Sequence, residues 1–169
     1  WALVATAIVD CPGGRTLRSM ETGLEGDALM KRTAGALETY RGVVYPWHID
    51  QIGHMNVQFY AARFDEATWH FLAAIGITPA YLKANGRGMA AVDQHTRYKQ
   101  ELHAGALIRV ASELLEIKPK TVRFRHRMYD AETGIEVAVL DMVGVHLDTS
   151  TRRSVPLPPD ILERAQAHA

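Results

Sequence analysis

Nine consecutive residues, His48–Asn56, contain two histidines, an aspartate, a glycine and an asparagine. A pattern typical of an amphipathic helix begins directly after them, at Val57. A carboxylate beside the N-terminus of a helix is suited to acyl chemistry, because the acid can attack or deprotonate while free backbone N–H groups bind the developing oxyanion. The segment is therefore either a catalytic site of this kind or a polar turn.

Asp50 is the candidate catalytic carboxylate, and the backbone of Val57 is the candidate donor. The first turn of a helix leaves N–H groups without intrahelical partners, and the helix dipole favours negative charge there. Each residue also has a purely structural interpretation. An aspartate near a glycine commonly closes an Asx-turn, and Val57 could be the first core residue of the helix.

The other polar residues of the segment are expected to shape the loop. Gly53 would allow a positive φ and a close approach of substrate to the backbone. His54 and Asn56 could hydrogen-bond the loop and orient Asp50, while Asn56 could equally be a plain helix cap. His48 lies two residues before Asp50, so in an extended chain the two side chains share a face, and His48 could act as a base.

Composition excludes several classes of function. The 169 residues suffice for one domain with a proper core, and 19 basic residues balance 19 acidic ones, so we expect neither a nucleic acid nor a membrane as partner. The single cysteine, Cys11, cannot form an internal disulfide, which favours a cytoplasmic location. No apolar run approaches the roughly 20 residues of a membrane helix, and the first residues lack the basic region of a signal peptide.

The chain divides into two parts. Residues 1–36 are rich in glycine and have no sustained period, so we interpret them as an N-terminal appendage of unknown role, with a short strand around 2–9 and a short helix around 25–32. Residues 37–169 have clear periodicity and form the predicted domain.

The predicted domain has a simple order of helices and strands. A strand comes first, then the long helix with apolar residues at helical spacing, then a short helix, four strands separated by short breaks, and a last helix. The predicted elements are Leu37–Trp47, Val57–Ile75, Tyr81–Asn85, Met89–Glu101, Ala106–Ile117, Lys120–Asp130, Gly134–Leu147 and Asp160–His168. Breaks this short favour antiparallel neighbours. We therefore predict an α+β domain in which one curved sheet covers one long helix.

Within the predicted strand Lys120–Asp130, polar and apolar side chains alternate. Val122, Phe124, His126 and Met128 share one face, and three arginines (Arg123, Arg125 and Arg127) share the other. The arginine face is predicted to be the outer face of the sheet and could form an oligomer contact.

This order of elements, together with the HIDQIGHMN segment, resembles the hotdog-fold acyl-CoA thioesterases, in particular the 4-hydroxybenzoyl-CoA thioesterase-like branch. The resemblance covers roughly residues 37–161. Its matching residues are His48, Asp50, Gly53, His54, Asn56, Tyr60 and the run Phe64-Asp65-Glu66-Ala67. The chain departs from the family pattern at His48, where many members carry a first aspartate.

The resemblance implies a fold, an activity and an assembly. The fold is a curved antiparallel sheet of about five strands around one long central helix. The activity is hydrolysis of an acyl-CoA thioester to the free acid and coenzyme A, with Asp50 as nucleophile or general base and the Val57 N–H polarising the carbonyl. No metal or redox cofactor is implied. The assembly is a homodimer or homotetramer with active sites between subunits.

The resemblance also implies substrate-binding residues. His48 and Tyr60 lie near the predicted loop, and lysines and arginines at strand ends would bind the phosphates of coenzyme A, often from a neighbouring subunit. The basic candidates are Lys118, Lys120, Arg152 and Arg153. A solvated surface cluster would explain the same four residues.

Other interpretations stay open at this stage. Asp65 and Glu66 are backup carboxylates, because another hotdog branch places its catalytic acid on the central helix. A hotdog hydratase or dehydratase acting on 3-hydroxyacyl thioesters could pair His48 or His54 with Glu66. A third possibility is an acyl-CoA-binding module without turnover. We do not expect a metal at His48, Asp50 and His54, since no cysteine accompanies them and no recognised ligand spacing is matched.

Overall fold

The computed structural model describes residues 35–168 and the backbone of the strand Arg32–Thr33. Its strands are β1 (Arg32–Thr33), β2 (Ala36–Val43), β3 (Arg87–Tyr98), β4 (Leu107–Lys118), β5 (Thr121–Asp130) and β6 (Glu136–Asp148). Its helices are α1 (Val57–Ala74), α2 (Pro79–Asn85), α3 (Pro159–Gln166) and a 3-10 turn, Pro46–His48. The elements predicted around 2–9 and 25–32 fall outside the described residues, apart from Arg32 in β1. The prediction that residues 1–36 form an appendage stays a prediction.

The described strands form one antiparallel sheet in the order β1-β2-β4-β5-β6-β3. Five of these strands are long, as predicted, and the two-residue β1 extends one edge. Each of the four pairings between long strands contains a register shift, which adds twist and bends the sheet. The α+β class is confirmed.

Helix α1 packs its apolar stripe against the inner face of the sheet. Tyr60, Phe64, Ala67 and Phe71 are buried on that stripe, at the spacing expected of one helical face. Phe71 contacts Phe124 of β5, with ring centroids 5.0 Å apart. The helix therefore lies along the sheet as predicted, and its N-terminus points to one end of the strands.

A chain of hydrogen bonds crosses the core around a fully buried histidine. His126 of β5 has Nδ1 at 2.5 Å from Ser112 Oγ and Nε2 at 2.9 Å from Thr68 Oγ1. Thr68 donates to the carbonyl of Phe64 at 2.8 Å, so its oxygen must accept from His126 Nε2–H. Ser112 then donates to Nδ1 and accepts from Thr39, 2.6 Å away. Burial lowers the pKa of His126 to about 3, so the histidine is neutral.

The outer face of β5 carries the predicted arginines. Arg125 pairs with Asp141 of β6 at 2.6 Å, and Arg127 pairs with Glu136 of β6 at 2.9 Å. These ion pairs raise the pKa of both guanidinium groups, chiefly through the hydrogen bonds to Asp141 and Glu136. The predicted division of β5 into an apolar and an arginine face is confirmed. In the described residues no helix is both long enough and apolar enough to cross a membrane.

The strand predicted over Leu37–Trp47 is too long. Strand β2 ends at Val43, and Pro46 begins the 3-10 turn that contains Trp47 and His48. Proline has a fixed φ and no backbone N–H, so it suits the first position of a turn and interrupts strand pairing. The chain is therefore not extended at His48, and the assumption that placed this histidine beside Asp50 does not hold.

The short break between β3 and β4 does not make them neighbours. β3 pairs with β6 at the far edge of the sheet, three positions away from β4. Residues 99–106 join the two strands by crossing one end of the sheet, and Met55 N–H donates to Leu102 O at 2.7 Å on the way. An extended segment of this length spans about 25 Å, more than the roughly 15 Å across three strand spacings. This crossing segment lies beneath the N-terminus of α1.

Candidate functional site

The loop after the 3-10 turn is closed at its base by backbone hydrogen bonds. Asp50 N–H donates to His54 O at 3.1 Å, and Asn56 N–H donates to His48 O at 2.9 Å. Within the loop, Gly53 N–H donates to Asp50 O at 3.0 Å, and Gly53 has φ of +98°. A side chain at that φ would be strained, which explains the glycine. The loop is thus a rigid support for Asp50.

Two donors hold the Asp50 carboxylate. Its Oδ1 accepts from the Ile52 N–H at 2.9 Å, which closes the Asx-turn of the structural interpretation, and its Oδ2 accepts from Asn56 Nδ2 at 3.2 Å. Asn56 is also the N-cap of α1, since its Oδ1 accepts from the Gln58 N–H at 3.0 Å. Asn56 therefore both caps the helix and orients Asp50, two roles that the sequence left as alternatives. Through Asn56, the carboxylate is held next to the start of the helix.

Val57 is the first residue of α1. Among the described residues, no acceptor takes the Val57 N–H, as expected in a first helical turn. The side chain is 56% exposed, so the interpretation of Val57 as the first core residue is wrong. The side chain is therefore accessible to a ligand, and the N–H has no acceptor among the described residues.

His48 lies in the interior rather than beside Asp50. Its Nδ1 accepts from the Tyr45 N–H at 3.0 Å, and its Nε2 is 3.2 Å from Arg63 Nη2. Burial lowers the pKa of His48, and the nearby positive charge of Arg63 lowers it further. Because Nδ1 accepts, the neutral imidazole carries its proton on Nε2, and its contact with Arg63 is close packing and not a hydrogen bond. The structure does not bring the side chain of His48 to the Asp50 carboxylate.

His54 supports the loop differently from what we predicted. Its backbone carbonyl accepts from Asp50, while its ring Nε2 lies 3.7 Å from Glu101 Oε1 in the crossing segment. The side chains of His48, Asp50 and His54 thus point to three different sets of partners. In the described part of the chain, no group of three or more His, Cys, Asp or Glu side chains could hold a metal ion.

A cavity of about 260 Å³ lies beside Val57 and His54. Tyr60 and Tyr98 form part of its wall, with ring centroids 5.2 Å apart in an edge-to-face arrangement. Burial raises the pKa of Tyr60 to about 12, so its hydroxyl stays protonated. Tyr60 is thus next to the helix N-terminus, where the resemblance implied a substrate-binding residue.

Three residues near the loop were not predicted. Tyr98 and Glu101 line the same cavity, and His103 donates from Nδ1 to the carbonyl of Gly53 at 3.0 Å. All three come from the end of β3 or the crossing segment. No local pattern marks them, because the crossing of the sheet brings them there.

The four basic candidates lie at the other end of the sheet. Lys118 and Lys120 flank the turn between β4 and β5, and Arg152 and Arg153 follow β6. The Asp50 loop contacts the crossing segment at the opposite strand ends, so a strand length of roughly 35 Å separates the two groups within one chain. Lys118 also pairs with Glu116 at 3.1 Å.

The two backup carboxylates have different surroundings. Glu66 accepts a hydrogen bond from Arg63 at 2.7 Å, on the side of the helix that faces His48. Asp65 instead lines a second cavity, between α1 and strands β3, β5 and β6. Neither carboxylate lies on the wall of the cavity next to Val57.

Comparison with known proteins identifies relatives of the chain. A model of the thioesterase-like superfamily matches residues 44–165. The betainyl-CoA thioesterase of Pseudomonas aeruginosa is 29% identical over 133 residues, covering 79% of this chain and 84% of that protein. An Agrobacterium fabrum protein named L-carnitine dehydrogenase/betainyl-CoA thioesterase is 30% identical over 94% of this chain, which spans only 32% of that longer protein.

Solved structures share the fold. A Staphylococcus aureus protein determined in complex with CoA superposes with a TM-score of 0.73 at 16% identity. The likeness covers 82% of this chain and 87% of that one. At this identity the similarity concerns the fold alone.

Proposed function

Because the chain belongs to the thioesterase-like superfamily, has the hotdog fold and is a thioester hydrolase, we propose that it hydrolyses acyl-CoA with Asp50 as its catalytic carboxylate. The observation that carries this proposal is the position of Asp50, held by Asn56 beside the free Val57 N–H. The proposed chemistry uses a carboxylate and backbone donors and needs no metal or redox cofactor. The single cysteine of the chain favours the cytoplasm as its location.

The proposed reaction begins with the thioester carbonyl accepting a hydrogen bond from Val57 N–H. The N–H and the helix dipole then stabilise the negative charge that develops on this oxygen. Asp50 either attacks the carbonyl carbon, giving a mixed anhydride that water hydrolyses, or removes a proton from the attacking water. In both routes the carbon–sulfur bond breaks and coenzyme A leaves as a thiolate, which is then protonated.

Neither alternative function gains support from the site. A hydratase would need a histidine beside the helix carboxylate, but Arg63 lies between His48 and Glu66 and contacts both. The ring of His54 faces Glu101 instead of Glu66. A module that only binds acyl-CoA would not require the hydrogen bond from Asn56 that orients Asp50 in addition to the Asx-turn.

We propose that the active unit is at least a dimer formed along β3. This strand is an edge of the sheet, 12 residues long, with mostly exposed side chains, including Val92 at 61%. Such an edge can pair with another strand. Antiparallel pairing of two β3 strands about a two-fold axis would bring the Arg87 end of one sheet to the Tyr98 end of the other. The partner's basic residues would then lie near the Asp50 loop, within reach of the phosphates of coenzyme A.

The substitution Val92→Lys tests this assembly. A lysine in the middle of the edge is expected to convert the dimer to a monomer, because two like charges would face each other across the interface. Hydrolysis should fall with the dimer, since each site would lose the partner's basic residues. Light scattering coupled to size exclusion measures the mass, and a wild-type protein that elutes as a monomer would refute the composite site.

Asn56→Asp separates the two roles of Asn56. An aspartate still caps α1, so thermal stability should change by less than about 1 kcal/mol. The variant loses the donor to Asp50 Oδ2 and places a second carboxylate in its position, 3.2 Å away in the wild type. We expect kcat/KM to fall by about 10- to 100-fold, mostly in kcat. Unchanged kinetics would show that Asn56 is a cap only.

The activity itself is tested by release of free thiol from a panel of acyl-CoA thioesters. The panel should include short, medium-chain and aromatic acyl groups, and betainyl-CoA because the relatives carry that name. Steady hydrolysis of one or more of these by the purified chain is the expected result. No release from any of them would overturn the proposed function.

A further inference from the structure

The second cavity is small and combines apolar walls with a carboxylate and an indole ring. It measures about 80 Å³ and lies between α1 and the inner face of strands β3, β5 and β6. Met89, Phe124 and Met142 form its apolar walls, and Asp65 and Trp69 lie on its helix side. Asp65 and Trp69 are one helical turn apart, so their side chains share a face of α1. A small group could bind between them and the sheet.

Among the described residues that line this cavity, Asp65 alone is ionisable. In the described part of the chain its carboxylate makes no ion pair and accepts no side-chain hydrogen bond, unlike its neighbour Glu66. The indole of Trp69 is 42% exposed beside it. A carboxylate, an indole ring and two thioethers attract a large, weakly hydrated cation and disfavour an anion.

We propose that this cavity is the acyl-group site and that it selects acyl groups with a fixed positive charge, of the trimethylammonium type. The inference rests on the proposed thioesterase function. Asp65 supplies the counter-charge, and the face of Trp69 supplies the cation–π contact. The apolar walls contact the methyl groups.

The proposed dimer connects this cavity with the catalytic loop. Val57 and Asp65 of one chain are separated by about 12 Å along the helix axis, which is far for a short acyl group. Pairing along β3 would bring the Met89 end of one strand beside the Tyr98 end of the other. The cavity of one chain would therefore open towards the partner's Val57, and the acyl group would be bound between two chains.

Pairs of substrates that differ only in charge test the inference. 4-(Trimethylammonio)butanoyl-CoA and 5,5-dimethylhexanoyl-CoA have the same shape, and so do betainyl-CoA and 3,3-dimethylbutanoyl-CoA. The quantity to compare is the ratio of kcat/KM for the cationic and the neutral member. Intrinsic reactivity cancels when this ratio is compared between wild type and variants.

Asp65→Asn and Trp69→Leu are each expected to lower the ratio by about tenfold or more for at least one pair. Glu66→Gln removes the same charge one residue away, where Arg63 already neutralises it, and should keep the wild-type ratio. Asp65 and Trp69 are exposed positions, so both variants should fold, which thermal melting checks.

A binding measurement keeps the inference separate from the proposed function. Calorimetry with Asp50→Asn should show the cationic acyl-CoA binding about tenfold more tightly than its neutral isostere, and adding Asp65→Asn should remove the difference. Equal affinities in Asp50→Asn, or ratios that the Asp65 and Trp69 variants leave unchanged, would overturn the inference while hydrolysis itself stood. Charge-selective binding without any hydrolysis would support the inference and refute the proposed function.

Discussion

Asp50→Asn is expected to lower kcat/KM for acyl-CoA hydrolysis by about 1,000-fold or more. The amide is neither a nucleophile nor a base, and a positioned carboxylate in either role contributes on the order of 100- to 10,000-fold. The substitution keeps the volume of the side chain and can keep the hydrogen bond from the Ile52 N–H. Thiol release under saturating and limiting substrate measures the effect, and circular dichroism confirms the fold.

The matched control is Glu66→Gln, which neutralises a carboxylate of α1 that binds Arg63 instead of the loop. It should retain most of the wild-type activity. The reverse result, an active Asp50→Asn and an inactive Glu66→Gln, would move the catalytic carboxylate to the helix. After a single turnover in oxygen-18 water, label in the side chain of Asp50 identifies nucleophilic attack followed by water attack on the Asp50 carbonyl, because general-base catalysis places the label only in the product acid.

The second large effect is a loss of stability at mildly acidic pH, caused by His126. Burial lowers its folded-state pKa to about 3, while an unfolded histidine titrates near 6.5. Between these values the unfolded chain binds the extra proton, so the free energy of unfolding falls as the pH falls. The stability that neutral His126 contributes is fully present above pH 6.5 and declines by about 1.4 kcal/mol per pH unit below it. We expect a loss of about 2 kcal/mol from pH 6.5 to 5.

Between pH 5 and 6.5 the change in the free energy of unfolding comes from histidines and not from the carboxyl groups. The carboxyl groups with shifted values (Asp130, Glu136, Asp141 and Asp148) have their pKa lowered from 3.8 or 4.5, so their contribution is lost mainly below pH 5. His48 acts in the same direction as His126, because burial and Arg63 also lower its pKa. Urea unfolding at a series of pH values gives the slope.

His126→Gln tests the assignment. Glutamine keeps a donor and an acceptor for Thr68 and Ser112 but cannot take up a proton, so most of the slope between pH 6.5 and 5 should disappear. His70→Gln removes a histidine on the exposed face of α1 and should leave the wild-type slope unchanged. If His126→Gln keeps the full slope, another group is responsible.

Local features of the fold could be predicted closely. The helix expected over Val57–Ile75 is found at Val57–Ala74 with Asn56 as its cap, and the inner and outer faces of β5 are the predicted ones. These features depend on periodicity and capping, which act between residues a few positions apart. Gly86 ends α2 in the left-handed conformation for the same local reason.

The candidate site was only partly predictable. The relation of Asp50, Asn56 and Val57 follows from their closeness in sequence to a helix N-terminus. The orientation of the His48 side chain does not follow from the sequence, because it depends on the 3-10 turn that begins at Pro46 and on the contact with Arg63 of α1. Glu101 and His103 reach the loop only because residues 99–106 cross the end of the sheet.

The sequence by itself therefore determined most elements, the helix cap and the candidate catalytic segment, since short-range periodicity and hydrogen bonding specify them. The tertiary structure decided which strands pair, which face of the loop is open and which residues line the two cavities. Those properties arise from contacts between residues far apart in the chain. β3 lies beside β6 instead of β4, and in the described residues this order places β3 at an edge of the sheet, with the Asp65 cavity beside it. No local sequence pattern specifies the strand order, because the order depends on how all the strands pack against α1.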